Sequence, residues 1–168
     1  WVSDQLLRAQ LLGNSVRIGE SQYPEIYAML EEFTSRLGLD RVPDVYIVNG
    51  QGAINAVALR LLQRKYILLL SDLVDLLVST GSLKELGFVL GHELGHHAMG
   101  HTRLGRRILL WPASFVPFLG PAYLRACELT ADRVGAWLVD SRAAAVRGLV
   151  AIASGSRTLV GATNLEAF

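Results

Sequence analysis

The chain has 168 residues, enough to bury a real core, and a formal net charge of +1, which leaves no bulk electrostatic footprint for nucleic acid. Its one cysteine, Cys127, excludes an internal disulfide and fits a reducing compartment. A hydrophobic content of 51% and a mean hydropathy of +0.34 are high for a soluble enzyme, and imply either a large core or a surface that meets a membrane.

No segment reaches the ~20 apolar residues of a spanning helix, and no signal peptide pattern is visible. The sequence starts at Trp1 without an initiator Met. The expected organisation is a single domain over residues 1–168, with its core at about 15–154, excised from a longer membrane-associated protein. Any anchor would then lie in flanking segments.

In chain order, residues 3–12 read as a short amphipathic helix with Leu6, Leu7, Leu11 and Leu12 inward, and Gly13 to Glu20 as a loop or extended piece. Tyr23-Pro24 opens a helix with Ile26, Leu30, Phe33 and Leu37 on one stripe and Gly38 as its stop. Three strands follow: Val45–Val48, closed by Asn49-Gly50; Ala53–Leu61; and, after a tight connection at Gln63-Arg64, Lys65–Leu70. The unbroken apolar run Tyr66–Leu70 predicts a strand covered on both faces. Asn55 is unfavourable inside a strand, and the plain account is an edge or bulge position. Three strands with helices before and after make an α+β layer.

Ser71-Asp72 caps a short helix to Val78, and Ser82-Leu83-Lys84-Glu85 is a capping box for the next. That helix carries Gly87, Gly91 and Gly95 at four-residue spacing, a smooth stripe expected to receive a neighbouring backbone. It also carries His92-Glu93-Leu94-Gly95-His96. Residues i and i+4 share a helix face, so both imidazoles reach one metal ion, while Glu93 lies about 100° further round, placed to take a proton from a water held there.

A catalytic zinc needs a third protein ligand and an open position. His101 is one option, but relative to the metzincin pattern Gly100 and His101 fall one residue out of register and no Met-turn follows. His97, rotated from His96, reads as a packing or surface residue. The better option is Glu128 on a helix expected from Pro121 to Val139, with Asp132 one turn on to hold the ring N–H of a ligand histidine. Between the two helices, Ile108 to Leu124 carries no charge and holds Pro112, Pro117 and Pro121. It reads either as a hairpin over the site or as a lobe dipping into lipid, with Arg103, Arg106 and Arg107 at headgroup level. Asp140-Ser141 caps a last helix to about Ala153.

Gly91-His92-Glu93-Leu94-Gly95-His96 with Gly100-His101, the downstream Glu128-Leu129-Thr130-Ala131-Asp132 and the strand Asn55-Ala56-Val57-Ala58 together resemble the HtpX-like and CAAX-prenyl-protease family of gluzincin endopeptidases, over about residues 15–150. The resemblance implies a zincin-like α+β fold with a small three-stranded sheet, and one Zn2+ per chain on His92, His96 and Glu128. It further implies Glu93 as general base, Asp132 behind the ligands, and Asn55 and Ala56 on an edge strand where an extended polypeptide substrate adds by β-pairing. Such proteins are membrane-associated, with the catalytic domain facing the cytoplasm, and act on polypeptides that include misfolded or membrane proteins. The transmembrane insertion that some members hold between the zinc helix and the Glu helix is replaced here by the short 108–124 segment, which leaves that segment and the flanking regions for membrane contact. Tyr123, Arg125 and Arg142 are the candidates for stabilising an oxyanion. Two rival readings remain at this stage: a zinc-bound but inactive membrane-associated interaction module, and a hydrolase of non-peptide amides or esters.

Overall fold

A computed structural model describes residues 13–61, 64–78, 83–102, 105, 118–156 and 162–164. The segment 3–12, the Ser82 cap, Gln63 and the charge-free run up to residue 117 lie outside these. The order is β1 (Ser15–Arg17), α1 (Pro24–Arg36), β2 (Asp44–Val48), β3 (Ala56–Leu61), β4 (Arg64–Leu70), α2 (Ser71–Val78), α3 (Lys84–Ala98), α4 (Leu119–Val139) and α5 (Arg142–Ser154). The mixed α+β class is as expected.

The sheet has four strands, not three, in the order β1-β2-β4-β3. The extra strand is the extended piece after Gly13, which pairs antiparallel with β2 from Ser15↔Val48 to Arg17↔Tyr46. β2 runs parallel to β4, and β3 folds back antiparallel on β4. Alternation then divides the side chains between two faces. Val45, Ile67 and Leu69 meet Ile26, Leu30 and Phe33 of α1 and Leu86, Val89, Leu90 and Leu94 of α3 in the main core. Tyr46 and Tyr66 are fully buried on the opposite face with Val48, Leu59 and Leu68. β4 is therefore covered on both sides, as its unbroken apolar run requires.

β3 begins at Ala56, later than the expected Ala53, so Asn55 stands just outside it. Asn55 keeps its carbonyl in register, accepting from Leu70 N at 3.1 Å. Its side chain does what the strand interior would not allow, taking the Ala56 N–H onto Oδ1 at 2.8 Å.

Among the described elements α3 and α4 pack most closely, and the glycine row is the reason. A Cβ at Gly91 would lie 2.9 Å from Gly135 Cα, and one at Gly95 would lie 3.1 Å from Val134 Cβ. A Cβ at Gly135, across the contact, would lie 2.7 Å from Phe88 O. Real Cβ atoms do not come within 3.0 Å of a backbone as those at Gly91 and Gly135 would, and the Gly95 contact is tight, so the ~1 kcal/mol that each helical glycine costs is accepted for the approach. Met29 Sδ closes the third position, 2.9 Å from a Cβ at Gly87. The α4 helix starts at Leu119, two residues earlier than Pro121, which still falls in the first turn where its missing N–H is not needed. Ser141 caps α5 as expected, its Oγ accepting from Ala144 N at 3.3 Å. Among the described residues no helix is long and apolar enough to cross a membrane.

Candidate metal centre

Because α3 and α4 touch through glycine, the side chains one turn along from the contact meet across it. His92 Nε2 and His96 Nε2 lie 3.0 Å apart. Glu128, from α4, brings Oε2 to 3.4 Å from His92 Nε2 and Oε1 to 3.7 Å from His96 Nε2. His92, His96 and Glu128 are the described residues able to hold a metal ion, with one ligand atom each and all within 4.8 Å of one another. Ligands at zinc's usual bond lengths of about 2.0–2.1 Å in tetrahedral arrangement stand roughly 3.3 Å apart, so the spacing fits. The chemistry fits as well: two imidazole nitrogens and a carboxylate oxygen are a borderline donor set that suits zinc.

The two histidines face each other through Nε2, and the Nδ1 atom of His92 is engaged elsewhere. His92 Nδ1 meets Asp132 Oδ1 at 2.8 Å. This is the contact expected of Asp132; a carboxylate there accepts a proton carried on Nδ1, the tautomer in which Nε2 is free to bind a metal. Burial pulls the His92 pKa down, but the hydrogen bond to Asp132 and the charges of Glu93, Asp132 and Glu128 outweigh it and the net shift is upward. His96 is lowered to about 4 by burial and by His92, His101 and His97 around it. With that shift the His96 ring is neutral near pH 7, the form in which an imidazole can bind a metal.

Glu93 is 7% exposed. Burial raises its pKa to about 7, against the opposing influence of His92 and of a hydrogen bond from the Ala58 backbone. Sequence reasoning missed this contact, since a main-chain donor has no residue signature. The register explains it. Asn55 O accepts from Leu70 N, so alternate residues of β3 point their amides at β4, and those of Ala56 and Ala58 point outward from the free edge. Asn55 Oδ1 takes the first and Glu93 the second. Asn55 and Ala56 thus lie at the start of an edge strand whose free side runs past the glutamate.

His97 is buried and donates from Nε2 to Tyr66 O at 3.0 Å, while Thr102 Oγ1 donates to its Nδ1 at 3.2 Å. It is a packing residue, as one of its two expected roles had it, and it ties α3 to the central strand. Burial, helped by Lys65 and Arg60, lowers its pKa to about 4 despite the bond to Tyr66. The unfolded chain takes up this proton near 6.5. Between those values the unfolded state binds more protons, so stability falls as pH drops from about 6.5 to 4, by roughly 3 kcal/mol in all. In the metal-free protein, His97→Gln should flatten the difference in unfolding free energy across that window by close to one proton. Denaturant melts at several pH values would measure it, and parallel curves for parent and variant would refute it.

Of the oxyanion candidates, Arg142 shares a groove of about 550 Å3 with Asp132 and Trp137, whereas Arg125 sits in a separate hollow with Phe118 and Leu129. His101 does not join the three inward-facing ligand atoms.

An α+β domain with a His-Glu-x-x-His helix under an edge strand, and a carboxylate from the next long helix, has the layout of a zincin-type metallopeptidase domain. Comparison with known proteins agrees: peptidase family M48 matches over residues 20–116, and the chain belongs to that family. The matched span covers the edge strand and α3 and ends before Glu128 and Asp132. The plastoglobule-localized metallopeptidase 48, chloroplastic, of Arabidopsis thaliana is 28% identical over 181 residues, an alignment covering 99% of this chain and 51% of that protein. The chain therefore spans about half the length of this curated relative. No solved structure gives a significant match.

Proposed function

We propose that the protein is a zinc-dependent metalloendopeptidase whose ion is held by His92, His96 and Glu128 and whose general base is Glu93. The observation that carries this reading is the convergence of two Nε2 atoms and a carboxylate within 4.8 Å, beside a buried glutamate that sequence reasoning assigned to proton transfer. Zinc bound there supplies Lewis acidity, polarising a scissile carbonyl and acidifying water. The rest of the chemistry belongs to the chain. Glu93 accepts the proton of the attacking water and returns it to the leaving amine. Asp132 holds His92 in the tautomer that presents Nε2. An extended polypeptide would lie along the outward edge of β3 with Asn55 and Ala56 at the entrance, pairing with the outward carbonyls of Ala56 and Ala58, whose N–H groups are held by Asn55 Oδ1 and Glu93. Membership of family M48 supports peptide bonds as the target over small amides or esters. The decisive experiment is cleavage of an unstructured polypeptide by protein holding about one zinc per chain. Zinc uptake without cleavage would favour the inactive interaction module.

Contact with a lipid surface belongs to the same reading. It is supported by the exposure of Phe118, Leu119 and Leu124, where the charge-free run enters α4, and of Leu129 just beyond it, and by the plastoglobule location in the relative's name. The catalytic domain is proposed to face the cytoplasm on the family resemblance. Phe118 is 86% exposed and Leu124 63%, so charged residues there cost the fold little. The double variant Phe118→Glu/Leu124→Glu should lose flotation with anionic liposomes that the parent shows, and equal flotation of the two would sink the lipid reading.

A further inference from the structure

His92 has Asp132 behind its Nδ1, and His96 needs an acceptor of its own there. The end of α3 supplies it. Gly100 adopts a left-handed conformation, φ +71, immediately after the helix. Its N–H bonds to His97 O at 3.3 Å, and the N–H of His101 reaches back to His96 O at 2.9 Å. These two bonds define a Schellman cap with Met99 as C-cap residue, Gly100 at C′ and His101 at C″. In that motif the C″ side chain is brought against the side chain of C3, usually as an apolar contact. Here C3 is His96, and the contact is polar: His96 Nδ1 and His101 Nδ1 lie 3.0 Å apart, with the ring centroids 5.2 Å apart and the planes at 67°.

We propose that His101 is a positioning residue for the metal site, its Nδ1 accepting the Nδ1–H of His96 and so holding the His96 ring with Nε2 toward the ion. Only one proton can sit between two facing Nδ1 atoms. With the His96 Nε2 lone pair committed to a metal, that proton belongs to His96 Nδ1, and His101 carries its own on Nε2. The cap geometry makes the contact a property of the helix end. Gly100 is needed because the left-handed turn disfavours a side chain, and His101 because its ring nitrogen is the acceptor. The two ligand histidines are thereby oriented by unlike partners: Asp132 reaches across from α4, and His101 folds back from the cap of the same helix.

The inference rests on the zinc-site reading and is tested on metal binding, so that catalysis does not enter. Zinc affinity, read by competition with a chromophoric chelator, should fall about 10- to 100-fold in His101→Ala, as for other outer partners of ligand histidines. His101→Asn places an amide oxygen near the position of Nδ1 and should stay within about threefold of the parent. In the zinc-loaded parent the ring Nδ1–H of His96 should give a solvent-protected NMR resonance, which His101→Ala loses and His101→Asn keeps. Parental affinity in His101→Ala, or an equal loss in folded Ala and Asn variants, overturns the proposal. A parent that takes up no zinc overturns this inference and the zinc peptidase together. A parent that binds zinc but cleaves nothing removes the peptidase alone, and the affinity series still decides His101.

Discussion

Glu93→Gln should abolish peptide hydrolysis while leaving the metal in place. The amide has the shape of the carboxylate and can still accept the Ala58 N–H on its oxygen, so neither the edge strand nor α3 needs to move. What it cannot do is take a proton. General-base catalysis is worth about 10²–10⁴-fold, so kcat/KM should fall by on the order of 10³ or more, about 4 kcal/mol of transition-state stabilisation. Zinc should remain near one per chain, because Glu93 is not among the three converging ligands. The parent's pH profile carries the same signature. Glu93 works as a base only when ionised, so kcat/KM should rise with pH through its pKa. Burial, partly offset by His92 and the Ala58 N–H, raises that pKa to about 7, and a divalent cation held by the neighbouring residues pulls it lower, so the midpoint of the acid limb should lie below 7. Retained cleavage in the Gln variant would remove Glu93 from the mechanism, and loss of zinc along with cleavage would mean that its role is structural.

What the sequence made legible was local. The i, i+4 spacing of His92 with His96, and of Glu128 with Asp132, depends only on helical geometry, so the faces could be assigned without knowing where the helices pack. The glycine row is of the same kind, since three costly residues in register demand a close neighbour, and Gly135 and Val134 are there. The fourth strand was not legible because three residues, Ser15 to Arg17, carry too little pattern, and their pairing with β2 is a long-range event. Asn55 is out of place in a strand by propensity, but its solution, a side chain closing on the next amide, needs the register to be seen. Ala58 offers its backbone alone. A motif register offers His101 only as a direct ligand, and His101 fails that register. The signal that could have found its position was Gly100 as a helix stop, followed by a histidine at the one position that a Schellman cap brings back onto the third residue from the helix end.

Glu128→Ala should uncouple folding from metal. The Glu128 side chain is 59% exposed and lies outside the core, so its truncation leaves the α3–α4 contact untouched. Removing one of three ligands should nonetheless weaken zinc binding by more than the roughly 10- to 100-fold that loss of an outer partner costs. The consequence is readable by heat. A ligand that binds only the folded state stabilises it by about 2.7 kcal/mol at one hundred times its Kd. For a chain of this length that corresponds to roughly 5–10 °C in Tm. A chelator should therefore lower the melting point of the parent by about that much and leave Glu128→Ala unchanged, at the temperature where the chelated parent melts. Because the variant begins from the metal-free baseline, the comparison separates a lost ligand from a damaged fold: a damaged fold would melt below the chelated parent. A variant that still gains stability from zinc as the parent does would exclude Glu128 as a ligand and return the third position to another donor.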